Sequence, residues 1–443
     1  MINVVSFSKT PLAGAPIRVA NAINLLKDIK VRHVDLSKNN IYEQDIIFSE
    51  KKEEVIQLCN DADIIHTHNY INLETKEFYP INFRELKRKG KKIIQHFHSS
   101  PMLIAKRIGV STDFVINYPL PQIVIAQFQE RFFPNAYVVP NLIPQDNELF
   151  IPKGIKEDID LIFTPSSYKW SAWEARWDTK GLPETKLILN LLNKKYNYVT
   201  QVEQGIPLSE VMKLKRRSKL VLDEMITGSY HLSALEGLSL GKPVLTYIDR
   251  RTEKVLKFIS GADDLPFVNI RLEELELAAK SLLNDVSARN MIGVNSRKWI
   301  ETYWKDKKLA FNFKKIYEDL LDNPERITRQ KGLSLTDSKD IYFSVELPNI
   351  IWENRKLIEE NRNKLIDENR KLVDENRKFV EKNRTLIEEK RKLVEEKRKL
   401  VEEKKKRESS LKAFLIYTLK IVLKRFLKNS RIKKIYKKIK NSF

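Results

Sequence analysis

The chain has 443 residues, a formal net charge of +22 and a single cysteine. At about 100–200 residues per domain, this length predicts two or three domains, and one cysteine excludes an internal disulfide and favours a reducing compartment. The start lacks a basic segment followed by an apolar core, and no run of about 18 apolar residues occurs, so neither a signal peptide nor a membrane-spanning helix is expected.

The first part of the chain alternates short apolar runs with helical patterns. The runs INVVSF, ADIIHTH, KKIIQHFH, QIVIAQ and AYVVPN are rich in Val and Ile, as buried parallel strands are. Segments such as PIRVANAINLLKDI lie between them with 3.6-residue periodicity. The alternation predicts a doubly wound, Rossmann-like α/β domain over residues 1–142. The following segment, VVPNLIPQDNELFIPK, contains three prolines and predicts a linker.

A second series of strands and helices runs from IDLIFTPSS to KPVLTYI. It closes with two long helical stretches, near Leu272–Asn284 and Ala288–Leu321. This pattern predicts a second Rossmann-like domain over residues 143–325, with a cleft between the two domains. Ligands of open α/β sheets bind outside the carboxyl ends of the strands, so we expect the functional site in that cleft.

Residues 326–352 are polar and interrupted by proline, which predicts another linker. A seven-residue repeat fills residues 353–408. Its spacing is kept by Leu372, Phe379, Leu386, Leu393 and Leu400. A strict heptad of this length predicts a long helix with a left-handed apolar seam, hence a coiled coil that holds a homo-oligomer together. A single charged helix that never pairs is the alternative.

The basic charge is concentrated at the end of the chain. Residues 411–443 contain 11 Lys/Arg and no acidic residue. Large apolar residues recur there on one helical face, which predicts a basic amphipathic helix lying on an anionic membrane surface. A partner-binding helix or a nucleic-acid-binding tail are the alternatives. The sequence lacks zinc-finger and ribonucleoprotein motifs, so no nucleic acid is expected, and we expect a cytoplasmic protein peripheral to the inner face of the membrane.

The segment GSYHLSALEGLSLGKPVL predicts a short helix that begins near His231 or Leu232. The free N–H groups and the dipole at a helix N-terminus suit a diphosphate. Glu236 lies one turn inside, where its two oxygens can accept hydrogen bonds from the hydroxyls of a ribose. The alternative is a helix with a surface glutamate followed by a glycine turn.

Several segments together resemble those of glycosyltransferases with the GT-B fold, most closely family 4, over roughly residues 1–322. ALEGLSLGKPVL is similar to the second half of the glutamate–seven–glutamate motif. The other similar segments, in the order found in that family, are PLAGAP, ADIIHTHN, KKIIQHFHSSP, VVPNLIPQDNELFIP, WDTKG and ETYWKDKKLAFNFKKIYEDLL.

The resemblance implies transfer of a sugar, of hexosyl type, from a nucleoside diphosphate sugar to an acceptor hydroxyl with retention of anomeric configuration, and with no metal or cofactor. The acceptor would be a glycan or a lipid-linked sugar in surface polysaccharide or glycolipid synthesis. His98 and Lys180 are the implied catalytic residues. The implied donor-binding residues are Gly14, Arg176, Lys180, Gly181, Ser233 and Glu236.

The chain departs from the family at two places. The first motif glutamate would fall eight residues before Glu236, where this chain has Gly228. The arginine that precedes the Lys–Gly pair would be Arg176, with Lys169 as a rival for the phosphate-binding position. The missing glutamate leaves a second function open, a coiled-coil scaffold or nucleic-acid-binding protein with an inactive GT-B-like part.

Four histidines end two of the predicted strands: His66, His68, His96 and His98. Imidazoles two residues apart on a strand can share a zinc ion, but no carboxylate or cysteine spacing completes a site. Buried, hydrogen-bonded structural histidines are the simpler interpretation of His66 and His96. His98 matches the family's cleft histidine, where a neutral imidazole can hydrogen-bond the reacting sugar.

Overall fold

The structure is a computed structural model, and it describes residues 1–165, 180–335, 341–342, 346–405, 420, 421 and 424. The chain divides into two compact units, Met1–Lys356 and Leu357–Phe443. The first unit contains two parallel sheets with helices packed on them, so the predicted α/β fold is confirmed.

Seven parallel strands form the first sheet, in the order β3-β2-β1-β4-β5-β6-β7. The first six follow the Rossmann order, which reverses between β1 and β4. The strands are β1 (Ile2–Ser8), β2 (Ile29–Asp35), β3 (Ile46–Ile47), β4 (Ile64–His68), β5 (Lys92–Phe97), β6 (Gln122–Ile125) and β7 (Tyr137–Val139). The helices of this domain are α1 (Ala15–Ile23), α2 (Lys52–Asp61), α3 (Phe83–Arg88), α4 (Pro101–Ile108) and α5 (Thr112–Ile116).

Sequence analysis did not predict β2 or β3. β2 reads IKVRHVD, and its charged residues interrupt the apolar run that identified the other strands. The strand nevertheless pairs with β1 along seven residues, from Ile2 with Ile29 to Ser8 with Asp35. The pairing places two polar residues of β2, His33 and Asp35, inside the domain, where both are buried.

Five parallel strands form the second sheet, in the order β12-β11-β10-β8-β9. This is the flavodoxin-like order, with its reversal between β8 and β10. The strands are β8 (Ile159–Phe163), β9 (Thr200–Val202), β10 (Ser218–Leu222), β11 (Val244–Thr246) and β12 (Val268–Asn269). The helices are α6 (Leu182–Tyr196), α7 (Leu208–Arg217), α8 (Leu232–Ser239), α9 (Arg250–Ser260), α10 (Leu275–Asn284) and α11 (Val286–Tyr303).

The last helix after the second sheet returns to the first domain. The predicted stretch Ala288–Leu321 is two helices, because the chain leaves helical geometry after α11 and resumes in α12 (Asp306–Asp322). α12 packs on α1, and the Tyr317 hydroxyl lies 2.7 Å from Nδ1 of His66 on β4. The predicted boundaries assign α12 to the second domain, 143–325, although the helix packs on α1 and contacts β4 of the first domain.

Both predicted linkers are partly packed rather than free. In the first, Leu142, Ile143 and Phe150 are buried in the core. In the second, Leu333 is buried and Arg329 forms an ion pair with the buried Glu130 of the first domain. Proline content alone does not separate a solvated linker from an irregular segment that fills a core.

Cys59 lies on α2 and is buried. Burial raises the pKa of its thiol to about 12, with the charge of Lys91 opposing the shift.

The arm predicted from the heptads is a single helix, α13 (Leu347–Lys405). Seam residues along it are exposed, among them Leu372, Val380, Leu386 and Leu393. Pairing of the arm with other copies stays a prediction. Apart from residues 420, 421 and 424, which are helical, the basic tail 411–443 lies outside the described residues. Among the helices described, none combines the length and apolarity needed to cross a membrane.

Candidate functional site

A cleft of about 420 Å³ lies between the two sheets. Its walls come from segments that follow the carboxyl ends of strands: 10–13 after β1, 98–99 after β5, 164–165 after β8, 203–206 after β9 and 231–233 after β10. The strands β1, β8 and β10 flank the points where the two strand orders reverse. Open α/β sheets bind ligands at such points, so the cleft is the candidate site.

Glu236 lines the cleft from the first turns of α8 and is buried. Its Oε1 accepts a hydrogen bond from Arg18 Nη2 at 2.7 Å, and its Oε2 accepts one from Lys215 Nζ at 2.6 Å. Burial raises the pKa of this carboxyl, but the charges of Lys215 and Arg18 outweigh burial and lower the pKa to about 2. Because Arg18 belongs to α1 and Glu236 to α8, the ion pair joins the two domains.

The N-terminus of α8 faces the cleft. The helix begins at Leu232, as predicted, and its N-cap residue His231 makes no side-chain capping bond to the first turn. Ser233 lines the cleft in that turn, and its Oγ lies 2.7 Å from Oγ1 of Thr164. Lys215 Nζ donates to Ser233 Oγ at 3.0 Å. Backbone N–H groups and a hydroxyl therefore line the cleft where an anionic group would bind, and the buried ammonium of Lys215 holds that hydroxyl in place.

Lys180 also lines the cleft, and its ammonium is held from two sides. Nζ lies 2.8 Å from Asp223 Oδ1 and donates to the Thr164 carbonyl at 3.0 Å. Burial raises the pKa of Asp223, but the ammonium of Lys180 and the neighbouring His231 hold it well below its usual range. An ammonium has three donors, and the described residues give Lys180 these two partners.

The structure assigns different roles to the two predicted donor-site glycines. Gly14 has φ +77°, and a Cβ there would lie 2.9 Å from the Tyr42 ring, so its missing side chain makes room for Tyr42. Tyr42, and not Gly14, lines the cleft. Gly181 also has positive φ and would contact Ile226 through a Cβ, which makes it a packing glycine next to Lys180. Arg176 and its rival Lys169 lie outside the described residues.

Gly228 stands where the family motif has its first glutamate, and the surroundings leave no room for a side chain. Its φ is +85°, and a Cβ would lie 2.8 Å from Cβ of Asp249. Asp249 itself accepts hydrogen bonds from Arg131 Nη1 at 2.9 Å and Nη2 at 3.1 Å, across the domain boundary. A cross-domain ion pair therefore occupies the space beside Gly228.

The four predicted histidines lie together. His98 lines the cleft, and its Nε2 lies 2.9 Å from Nδ1 of His68. His66 is buried and bonds Tyr317, as the structural interpretation predicts. His96 is buried, but neither of its ring nitrogens has a hydrogen-bond partner in the described part of the chain. The hydrogen bond expected for His96 is therefore not found among the described residues.

Three of these histidines bring ring nitrogens within 4.8 Å of one another: His66, His68 and His96. A metal ion is bound by in-plane lone pairs, so rings that share an ion must converge on it edge-on. Here the His66 ring stacks on His68 at 4.5 Å and 22° and on His96 at 5.2 Å and 25°. The ring planes are offset rather than convergent, and this geometry disfavours a shared ion.

Sequence analysis missed Arg18, Lys215 and Tyr42. Arg18 is the one charged residue of the apolar helix α1, APIRVANAI, which was an available signal of a buried ion pair. Lys215 lies in the segment LKRRSK among other basic residues, and nothing in that sequence distinguishes it from a solvent-exposed lysine.

No protein-family model matches this sequence, and no curated protein sequence matches it. Solved structures of glycosyltransferases resemble it at low identity. Sucrose-phosphate synthase from Thermosynechococcus elongatus has a TM-score of 0.47 and 11% identity, covering 73% of this chain and 100% of that chain. HepE from Anabaena in complex with UDP-glucose has a TM-score of 0.48 and 10% identity, covering 72% and 100%. A glycosyltransferase from Rickettsia africae has a TM-score of 0.44 and 13% identity, covering 73% and 99%. At TM-scores below 0.5 these likenesses carry no conclusion about this chain.

Proposed function

We propose that the chain is a glycosyltransferase that moves a sugar from a nucleoside diphosphate sugar to an acceptor hydroxyl. The observation that carries the proposal is the cleft itself. It lies where the strand orders of both sheets reverse, and it combines the first turn of α8 with Lys180 and Glu236. This is a set of groups suited to a diphosphate beside a ribose.

Lys180 and the N-terminus of α8 would stabilise the departing diphosphate without a metal ion. Both line the same cleft, Lys180 with its positive charge and α8 with its N–H dipoles, and preorganised donors of this kind stabilise developing negative charge. Arg176 is proposed as a third residue that stabilises the diphosphate, and this part of the proposal rests only on the family resemblance. No cofactor is required by this scheme, because the donor sugar carries its own leaving group.

Glu236 would accept hydrogen bonds from the ribose hydroxyls. Arg18 and Lys215 keep the carboxylate ionised and fix its orientation. Each carboxylate oxygen can accept two hydrogen bonds, so both retain capacity for a ligand. His98 would contact the transferred sugar from the opposite wall, which the first domain provides.

Retention of configuration, a hexosyl donor and a glycan or lipid-linked acceptor are further proposals that rest on the family resemblance. The basic tail 411–443 would attach the enzyme to anionic lipid on the inner face of the membrane, and residues 353–408 would assemble copies of the chain. The composition of the tail and the heptad spacing of the arm support these two parts of the proposal.

Titration calorimetry with UDP and GDP tests the donor site. We expect the wild-type chain to bind at least one of the two. Ser233→Ala should weaken binding by about five- to tenfold, because it removes one cleft hydroxyl. Ser239→Ala is the matched control, since Ser239 is a buried serine of the same helix that does not line the cleft.

Absence of binding to either nucleotide at millimolar concentration would contradict the proposal. Binding of DNA alone, weakening steeply with salt, would instead favour the alternative of a nucleic-acid-binding protein. Equal effects of the two serine variants on nucleotide affinity would indicate that the nucleotide does not bind at the N-terminus of α8.

A further inference from the structure

A row of buried polar side chains runs from the cleft through the first sheet to β2. Each neighbour in the row lies within hydrogen-bond distance of the next. The contacts are His98 Nε2 to His68 Nδ1 at 2.9 Å, His68 Nε2 to Ser6 Oγ at 2.9 Å, Ser6 Oγ to His33 Nδ1 at 3.0 Å, His33 Nε2 to Ser8 Oγ at 3.3 Å, and Ser8 Oγ to Asp35 Oδ1 at 2.8 Å. The parallel register of β1 and β2 sets Ser6 beside His33 and Ser8 beside Asp35.

The carboxylate at one end decides the direction of the first bonds. Ionised Asp35 only accepts, so Ser8 donates its hydroxyl proton to it. The Ser8 oxygen then accepts, and His33 Nε2 must carry the proton that it receives. A neutral imidazole has one N–H and one bare nitrogen, so His33 Nδ1 is bare and accepts from the Ser6 hydroxyl.

The same rule carries the direction on to the cleft. The Ser6 oxygen, having donated its proton, accepts from His68 Nε2–H. His68 Nδ1 is then bare and accepts from His98 Nε2–H. This leaves Nδ1 of His98 as a bare acceptor nitrogen. This nitrogen is buried without a hydrogen-bond partner among the described residues, in a residue that lines the cleft.

We propose that Asp35, acting through this row of five hydrogen bonds, fixes the tautomer of His98 so that it presents an acceptor nitrogen to a hydroxyl group of a carbohydrate in the cleft. Asp35 is a positioning residue here, and His98 is the residue that touches the ligand. The inference rests on the proposed function for the identity of the ligand, but not for the tautomer.

Charge and burial in the row agree with this assignment. Burial is the main cause that lowers the pKa of His98 to about 3, so the ring stays neutral. Burial raises the pKa of Asp35, but the His33 ring, whose Nε2 lies 3.5 Å from Asp35 Oδ1, together with Gln44 and Ser8 holds it below its usual value, so the carboxylate stays ionised. The direction also requires a neutral His33, because a protonated ring donates from both nitrogens.

The tautomers can be measured on the full-length wild-type chain. Histidine ring nitrogens labelled with ¹⁵N distinguish protonated from bare nitrogens by chemical shift, and the chain has only six histidines. At pH 8, above the ordinary pKa of histidine, we expect a proton on Nε2 of His98 and a coupling through the hydrogen bond to bare Nδ1 of His68. A proton on Nδ1 of His98, or a zinc-dependent change of the His68 resonances, would overturn the proposal.

Ser6→Ala gives a sharper test, because it cuts the row between His33 and His68. His68 Nε2 then has no partner in either direction of the His68–His98 bond, so the preference set by the row is lost and the reversed pair, with His68 Nδ1–H donating to His98 Nε2, becomes possible. We therefore expect a second set of His98 resonances with a proton on Nδ1. Ser6→Thr keeps the hydroxyl and should keep the wild-type tautomer.

Asp35→Asn provides a second variant of the same size. Its amide can donate to Ser8 as well as accept, so both directions become possible and a second set of His98 resonances should appear. A single unchanged His98 tautomer in both Ser6→Ala and Asp35→Asn would overturn the proposal. Nucleotide calorimetry on the same samples separates the two ideas: a chain that binds no nucleotide contradicts the proposed function, whatever the tautomer of His98.

Discussion

Acid should unfold this protein well above the pH at which carboxyl groups are protonated, because four of its histidines are buried as neutral rings. Burial, with smaller contributions from neighbouring rings, lowers the pKa of His66 and of His98 to about 3. It lowers the pKa values of His68 and His96 well below the usual range as well.

The sign of the effect follows from proton uptake. Below about pH 6.5 an unfolded chain binds protons on these rings, whereas in the folded chain His66 and His98 stay neutral down to about pH 3 and His68 and His96 also resist protonation. Protonation therefore favours unfolding, and the stability present above pH 6.5 is lost as the pH falls. From pH 7 to pH 5 each of His66 and His98 lowers the free energy of unfolding by about 2 kcal/mol. These two rings together contribute about 4 kcal/mol, which is a large part of the whole stability of a typical domain, and His68 and His96 act in the same direction.

Urea denaturation followed by tryptophan fluorescence at pH 7, 6 and 5 measures this loss. His96→Leu removes one titrating ring of similar volume that makes no hydrogen bond among the described residues. Compared with wild type, it should reduce the loss of stability between pH 7 and pH 5, and comparison of each protein with itself at pH 7 controls for changes in packing. A wild-type free energy of unfolding that stays within 1 kcal/mol from pH 7 to pH 5, as an order-of-magnitude bound, would refute the reasoning.

The remaining predictions concern the ion pairs, the motif and the C-terminal segments. Glu236→Gln should lower the free energy of unfolding at pH 7 by about 3–5 kcal/mol in urea denaturation, since it leaves buried cations unpaired. Adding Lys215→Met should recover part of the lost stability, and a double variant without any recovery would contradict the ion pair between Lys215 and Glu236. Gly228→Glu should destabilise the chain by more than about 1 kcal/mol, because a side chain is forced to positive φ against a neighbour, and unfolding midpoints equal to wild type would argue against that strain. Deletion of residues 353–408 should convert an oligomer to a monomer, as measured by light scattering. A full-length chain that is already monomeric at micromolar concentration would contradict this prediction. Deletion of 411–443 should abolish co-sedimentation with anionic vesicles, and undiminished sedimentation would exclude the tail as the anchor.

Local patterns were sufficient to predict much of the fold. The apolar runs gave β1 and β4 to β8, and the position of α8 followed from its sequence to within one residue. Sequence analysis missed the strand β2 because charged residues interrupt its apolar residues, although its other residues are buried. A method that looks for continuous apolar runs misses a strand whose polar residues are held inside by partners on a neighbouring strand.

The site was less accessible from sequence, because its important contacts join distant parts of the chain. Arg18 and Glu236 are 218 residues apart, and Arg131 and Asp249 are 118 apart. No local periodicity encodes such a pair. Gly228 illustrates the same limit: the sequence records a missing glutamate, but only the structure reveals that Asp249 fills the space beside it.

Cys59 makes the chain convenient for site-specific chemistry. A thiol with a pKa of about 12 carries very little thiolate at pH 8, whereas an exposed cysteine with an ordinary pKa of about 8.5 carries roughly a thousandfold more. A cysteine placed at the exposed Val373 of α13 would therefore react selectively, without removal of the natural one. Two such residues can join as a disulfide where the arms of two copies lie parallel and in register, so one added thiol tests that arrangement of the helices in an assembly.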